Sequence, residues 1–346
     1  MCPSASPKPR TKKREAYLPG PTDRRVDALL ALLAENPTIV ISGASIAKEI
    51  GVKRQTVWKW IETLREAGVK VKGHPRTGYH IERVPDVLAP QLVSQHLRGT
   101  PFGKRILHFF QTESTNDVAL RLGEKGEPHG TLILAEKQTA GRGRAGHAWV
   151  SEASTGIYIT VLLRPPISPV ISPVLTIVGG LATREAVAEQ TGLSPDIRWP
   201  NDVMLNGKKI CGILTEMQAE PGRIHFAALG IGINVNQTKM PAPIESIATS
   251  LRIETGRVHS RLELLARLLR QLDRYYNQFV AEGAAPILRQ FAQVSSYAEG
   301  KRVCINNERE SFTGTTAGLE PSGILRVRRD DGTFEQILSG NLSEAQ

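Results

Sequence analysis

Apolar residues recur at helical intervals from Asp23 onward, where Val26, Leu29, Leu30, Leu32 and Leu33 make one face. A short second helix is predicted over 43-GASIAKEI-50, Gly51 supplies a turn, and a third helix runs through 53-KRQTVWKWIETLREAG-68. In the third helix Val57, Ile61 and Leu64 face inward, while Gln55, Trp58, Lys59 and Glu62 form the opposite stripe. Two short strands around a Pro/Gly turn follow in 69-VKVKGHPRTGYHIER-83. This is the spacing of a winged helix-turn-helix. Its third helix is free to enter a major groove, and its wing offers Lys72, His74 and Arg76 to phosphate. Arg54, Gln55, Thr56, Trp58, Lys59, Lys72 and Arg76 are therefore the candidate DNA contacts.

The stretch 84-VPDVLAP-90 reads as a linker. Beyond it, strands are predicted at 106–112, 131–136, 156–163, 195–199, 210–216 and 225–233, and helices at 115–124, 174–190 and 261–282. Ser260 with Glu263 gives the last helix a capping box. After about residue 295 short strands alternate with turn signals at 306-NN-307, 320-EPSG-323 and 331-DG-332, which predicts a small β-barrel. The expectation is an α+β multidomain chain: a tail at 1–22, a winged helix at 23–84, a mixed-sheet body at 85–295 and a barrel at 296–346.

Charge sharpens this division. Of the formal net charge of +10, residues 1–80 carry +8, from 15 Lys and Arg against 7 Asp and Glu, which leaves +2 for the rest. A basic excess confined to the winged helix and its leader suggests a polyanion partner such as DNA. A solvated tail would account for 8-KPRTKKR-14, but not for the excess continuing into patterned sequence. Residues 1–22, rich in Pro, Lys, Arg and Ser, are expected to be disordered. Cys2, Cys211 and Cys304 are too few and too scattered for a disulfide framework or a metal site. No apolar run approaches the roughly 18 residues of a membrane span, and a signal-peptide core is missing. A cytoplasmic location and no membrane partner are expected.

The stretch 141-GRGRAGHAW-149 begins with G-x-G-x-x-G. In a dinucleotide-binding unit such a turn leads from a strand into a helix. Here the strand 131-TLILAE-136 precedes it, but the alternating, β-branched 156-GIYITVLLRP-165 follows, so the loop joins two strands. A kinase glycine loop also joins strands, yet the chain contains no H-R-D or D-F-G triplet. On spacing alone the loop is a flexible cover for a small anionic ligand or a basic surface turn.

Four polar clusters fall at predicted strand ends: 113-ESTND-117, 138-QTAGRGRAGHAW-149, 198-RWPND-202 and 208-KKICGIL-214, with 230-GIGINVN-236 as a weaker fifth. Singly, Ser114-Thr115-Asn116 reads as a helix N-cap, Pro200-Asn201-Asp202 as a turn and Lys209 as a surface lysine. In this order they resemble the biotin protein ligases. The winged helix ahead and the small barrel behind resemble the subclass that is also the biotin operon repressor. Two departures are Arg198, where such ligases usually carry lysine before WPND, and Cys211, where alanine is common.

The resemblance implies a central mixed sheet with helices, of the class II aminoacyl-tRNA synthetase-like kind, and a C-terminal SH3-like barrel. It implies the joining of biotin to ATP as biotinyl-5'-AMP, with Mg2+ on the phosphates, then transfer to a lysine of the biotin carboxyl carrier domain of acetyl-CoA carboxylase. Two anions must then meet, so cations are needed between them. Lys209 is placed to bridge biotin's carboxylate and the α-phosphate, Arg142 and Arg144 to close over the anhydride as a lid, and Asp202 to attract the acceptor amine. Ser114, Thr115, Asn116 and Gln138 suit the uncharged ureido ring and tail, and Gly141 and Gly143 let backbone N–H groups approach. Trp149, Asn201 and Asn234 join Arg142 and Lys209 as nucleotide contacts. A homodimer on operator DNA, with biotinyl-5'-AMP as co-repressor, completes the expectation. The competing readings are a ligand-sensing transcription factor without catalysis and a lipoate or octanoate ligase of related fold.

Overall fold

The structure, a computed structural model, describes residues 21–345 except 36, 38, 75, 83–85, 98, 307–309 and 338–340. The basic tail through residue 20, the start of the linker and Asn307 of the predicted turn lie outside the described residues.

The first unit holds α1 (Pro21–Glu35), α2 (Gly43–Ile50), α3 (Arg54–Glu66) and the antiparallel pair β1 (Val71–His74) and β2 (Gly78–Ile81). Ser42 starts α2 by accepting the Ser45 N–H at 3.0 Å, and Gly51 ends it at φ 71°. Val26, Leu29, Leu30 and Leu33 of α1 bury against Ile46, Val57, Ile61 and Leu64, while Trp58 stays 56% exposed on the outer face of α3. At Gly78, φ is 146° and a Cβ would stand 2.0 Å from the Ile41 carbonyl oxygen, so this position of the wing needs glycine.

The stretch read as a linker is built in. Val87, Leu88 and Ala89 are buried, and α4 (Pro90–His96) follows at once. Next come β3 (Ile106–Phe109), α5 (Thr115–Glu124), β4 (Thr131–Ala135), β5 (Gly156–Leu163), α6 (Pro173–Thr191), β6 (Asp196–Arg198), β7 (Asp202–Leu205), β8 (Lys208–Glu220) and β9 (Arg223–Asn234). After them lie α7 (Leu251–Thr255), α8 (Arg261–Glu282) and α9 (Ala284–Val294). The strands form one mixed sheet in the order β3-β4-β5-β9-β8-β7-β6, parallel between β3 and β4 and antiparallel elsewhere.

All eight residues of β5 are buried because helices cover both sheet faces. On one face α5 lays Val118, Ala119 and Leu122 against Ile133, Leu162 and Phe226. On the other α6 packs against the sheet and α8 against α6. That position explains the stretch Pro169–Thr191, which is long and apolar enough to span a membrane yet has 72% of its apolar window inside the protein. It is a core helix with a layer on either side, which corrects the expectation that no apolar run approaches the length of a membrane span.

The last unit is a five-stranded antiparallel sheet of β10 (Glu299–Asn306), β11 (Ser311–Leu319), β12 (Leu325–Arg329), β13 (Phe334–Ile337) and β14 (Asn341–Glu344), in the order β13-β12-β11-β10-β14. It docks on the β6 end of the central sheet, where Trp199 Nε1 donates to the Gly323 carbonyl at 2.9 Å.

Candidate functional site

A cleft opens over one sheet face where β5, β8 and β9 meet the start of α5. Its floor follows from strand alternation. In 230-GIGIN-234, Ile231 and Ile233 belong to the core under α6, and the intervening glycines open the other face. Gly232 pairs with Gly212 across β8 and β9, and Gly230 with Leu214. A Cβ on Gly232 would stand 2.6 Å from the Trp149 ring and one on Gly230 2.2 Å from Asn116 Oδ1. The bare strip thus seats Trp149 and Asn116 flat on the sheet.

Each wall carries one of the polar clusters. Gln138 Oε1 accepts from the Thr115 N–H at 2.8 Å and the Thr115 hydroxyl at 3.1 Å, which leaves its Nε2 as the end able to meet a ligand. Asn116 is spent within the protein, with Nδ2 on Glu216 at 2.8 Å and the Leu214 carbonyl at 3.2 Å, and Oδ1 on Thr160 at 2.6 Å. Ser114 holds the N-cap position of α5, but its hydroxyl makes no capping bond and lines the cleft instead. The capping reading of Ser114 therefore fails in its detail.

The basic loop folds on itself. Trp149 N–H donates to the Gly141 carbonyl at 2.8 Å and Gly143 N–H to that of His147 at 2.7 Å. A Cβ at Gly141 would stand 2.8 Å from the Trp149 carbonyl oxygen, so that glycine closes the loop rather than facing the cleft. Arg142 reaches over the cleft between Asp117 at 2.5 Å and Glu216 at 3.0 Å. Neither acid stood among the expected residues, although Asp117 lies inside the quoted 113-ESTND-117 and Glu216 two residues beyond 208-KKICGIL-214.

On the opposite wall Lys209 Nζ lies 2.5 Å from Asp202 Oδ1 and 5.6 Å from the centre of the Trp149 ring. Asp202 Oδ2 accepts from Arg198 Nη2 at 2.7 Å, so this carboxylate stands between two cations. Arg198 is thereby a partner of Asp202. Burial pushes the Arg144 guanidinium down, and nearby Asp202 opposes the push. Cys211, on β8, is fully buried and its thiol is pushed up to about 12 by burial, which leaves it chemically inert.

Of the expected ligand residues, Ser114, Thr115, Asn116, Gln138, Arg142, Gly143, Trp149, Asn201 and Lys209 line this one cleft. Gly141, Arg144, Asp202 and Asn234 do not. Asn234 is buried, with Nδ2 on the Thr249 carbonyl at 3.0 Å, so its amide holds the 249–250 turn. Ile159, Ile213 and Ile231 also border the cleft, although their side chains belong to the core under α6.

In the winged unit Arg54, Gln55, Lys59, Lys72 and Arg76 are exposed, as is Trp58, and Thr56 is half-buried. Lys72 is paired with Glu82, and His74 Nε2 meets His80 Nδ1 at 3.0 Å across the wing.

The profile of the Biotin/lipoate A/B protein ligase family matches residues 109–234, and that of an HTH domain residues 25–80. The bifunctional ligase/repressor BirA of Bacillus subtilis is 34% identical over 318 residues, 91% of this chain and 97% of that protein. The biotin--[acetyl-CoA-carboxylase] ligase of Mycobacterium tuberculosis is 36% identical over 257 residues, 71% of this chain and 90% of that protein. Among solved structures, a biotin protein ligase from Aquifex aeolicus in complex with biotin and ATP superimposes with a TM-score of 0.60 at 31% identity, covering 69% of this chain and 98% of that one.

Proposed function

Because the chain belongs to the bifunctional biotin ligase/repressors, we propose that it activates biotin with ATP, transfers it to a lysine of a biotin carboxyl carrier domain, and binds operator DNA as a repressor. The observation that carries the ligase reading is the convergence of the ESTN, GRGR, WPND and KKI segments on one cleft with Lys209 and Arg142 on facing walls.

In the first half-reaction a carboxylate oxygen of biotin attacks the α-phosphorus of ATP, forming the mixed anhydride and releasing pyrophosphate. Lys209 neutralises the meeting anions; to do so its ammonium exchanges Asp202 for substrate, and Arg198 keeps Asp202 paired meanwhile. The Gln138 amide and the Ser114 hydroxyl suit biotin's ureido ring, and Trp149 beside the bare glycine strip suits its apolar tail and the adenine. In the second half-reaction the carrier lysine must lose a proton and attack the anhydride carbonyl, with AMP leaving. Asp202, at the edge of the cleft, is the carboxylate that would attract that amine. Arg144 beside it and the loop around Arg142 would retain the adenylate. Mg2+ would enter on the nucleotide phosphates, since no cluster of three acidic, His or Cys ligands exists among the described residues.

The C-terminal sheet is read as an SH3-like barrel, the repressing species as a homodimer, and the unit boundaries as 23–84, 85–295 and 296–346. Biotin-dependent ATP/pyrophosphate exchange, compared with exchange supported by lipoate, tests the ligase reading. Exchange with lipoate but not biotin would replace it by a lipoate ligase, and exchange with neither would leave a sensor without catalysis.

A further inference from the structure

The winged unit is joined to the ligase body by a run of buried charges. Asp27 of α1 is 4% exposed, and its Oδ1 lies 2.9 Å from Nδ1 of His108 on β3, which is 1% exposed. The other ring nitrogen, Nε2, lies 3.5 Å from Glu136 Oε1, an ion pair without hydrogen-bond geometry. Glu136 Oε1 accepts the Leu88 N–H of the built-in linker at 2.7 Å, and Oε2 accepts from Arg261 Nη1 of α8 at 2.8 Å. Arg261, fully buried, turns its remaining donors to Asp86 and the Gly156 carbonyl. Burial alone would push the His108 imidazole down, but Asp27 and then Glu136 raise it to about 10, so the ring is cationic at neutral pH.

Position gives this cluster its significance. β3 and β4 are parallel neighbours, with His108 opposite Leu134, and both strands run directly into the cleft. Four to eight residues beyond His108 come Thr112, Ser114 and Asn116; two beyond Glu136 comes Gln138. The far end of the lid segment returns to the same place, since Ser154 N–H donates to the Glu136 carbonyl at 3.1 Å. From there the Ser154 hydroxyl donates to the carbonyl of Ala67, just past the end of α3, at 2.8 Å. The chain segments that build the cleft walls around Thr115, Gln138 and Trp149 are thus pinned at His108, Glu136 and Ser154, and the same three residues touch or adjoin the DNA unit at Asp27 and Ala67.

We propose that the Asp27–His108–Glu136 chain is the joint through which occupancy of the cleft is felt by the DNA-reading unit. This rests on the ligase/repressor reading above. An apolar contact would attach the unit as firmly, but it would tolerate sliding. A buried ion pair tolerates little, because a displaced charge is left without a partner. Ordering of Gln138 and the lid around an adenylate therefore biases a single orientation of α1, and with it α3. Linkage makes the effect reciprocal: the factor by which adenylate raises operator affinity equals the factor by which operator raises adenylate affinity.

The test uses the full chain and a non-hydrolysable biotinyl-adenylate analogue. Operator affinity is measured with and without the analogue for the parent, Asp27→Asn and His108→Gln, together with ATP/pyrophosphate exchange and hydrogen exchange of α1. In the parent the analogue should raise operator affinity by a factor within the usual roughly 5- to 150-fold range of allosteric coupling. In Asp27→Asn, which keeps shape and removes the charge, that factor should fall below about threefold while pyrophosphate exchange stays within a fewfold of the parent. Hydrogen exchange in α1 should quicken at the same time. Should His108→Gln fail to fold, the Asp27→Asn result decides. An unchanged factor in Asp27→Asn would overturn the joint while leaving ligase and repressor intact. A parent whose operator affinity ignores the analogue would overturn the joint and the co-repressor reading together.

Discussion

Lys209 should prove to be a residue whose loss costs catalysis far more than stability, and Lys209→Met separates the two. The substitution keeps an unbranched apolar side chain of nearly the same length and removes the ammonium. That ammonium makes one ion pair, to Asp202, with 27% of the lysine side chain and 12% of the aspartate side chain exposed. Asp202 does not become an unpaired buried charge, because Arg198 still holds Oδ2 at 2.7 Å. For so partly solvated a pair the loss should be about 1 kcal/mol or less, with a further ~0.5 kcal/mol for the contact over Trp149. In a protein of this size that lowers Tm by only about 1–2 °C.

The catalytic cost is of another order. An electrostatic donor aimed at charge developing in the transition state contributes about 2.7–4 kcal/mol, which is ~10²- to 10³-fold in rate. The assay is biotin-dependent ATP/pyrophosphate exchange alongside a thermal melt. Exchange within a fewfold of the parent, or a fall in rate matched by a collapse in Tm, would refute the assignment of Lys209 to the reacting anions.

Gly232→Ala should force Trp149 off its seat, since the new Cβ would stand 2.6 Å from the ring; overpacking of about 1–3 kcal/mol is expected, with a tryptophan fluorescence change and weaker ligand binding in calorimetry. Parental affinity would mean that the seat of Trp149 is not needed. Arg76→Ala, at the exposed tip of the wing, should weaken operator binding and make its salt dependence shallower by about one phosphate's worth, a slope change of ~0.9, measured by titration at several salt concentrations. Stability should also vary with pH in a definite sense. His108, facing Asp27 on α1, Glu136 after β4 and, through Glu136, Arg261 and Asp86, is raised from 6.5 to about 10, so its contribution is complete below pH 6.5 and lost as pH rises through 10. Glu136 is lowered from 4.5 to about 2; burial opposes the shift, and Arg261, His108 and the Leu88 N–H together outweigh it, so its contribution is complete above pH 4.5 and lost as pH falls through 2. Denaturant melts across pH should show the alkaline loss shrinking in Asp27→Asn; an identical alkaline limb would disprove the pairing.

Where function could be read from the chain, the reason is that the cleft is built from strand ends, and strand ends announce themselves. Ser114-Thr115-Asn116, Gln138, Arg142, Asn201 and Lys209 are polar residues where apolar runs stop, and the structure brings them together. Elements with weak local signals were missed. α9 carries Pro286 in its first turn, where proline is tolerated but reads as a break, and β7 is only four residues long and begins inside a motif. Asn234 shows the opposite error. It has the residue type of a ligand contact, but a buried amide is claimed first by the nearest unpaired backbone group, here the Thr249 carbonyl.

The charged joint was invisible for a deeper reason. His108 sits in 106-ILHFF-110, where one histidine among apolar residues gives no periodic signal, and its partners lie 81 and 28 residues away in the chain. Nothing local distinguishes a cationic histidine from a neutral one; the charge comes from carboxylates that only the fold brings near. Such a cluster is also a poor way to gain stability, since well-packed apolar residues of similar volume often do as well or better. What ionic geometry supplies in exchange is direction. A winged helix that only had to be tethered could be held by the apolar side chains of α1 already buried around Leu29 and Leu30. Holding it at one angle, on the two strands that carry Ser114 and Gln138 into the cleft, requires contacts that fail when the angle changes.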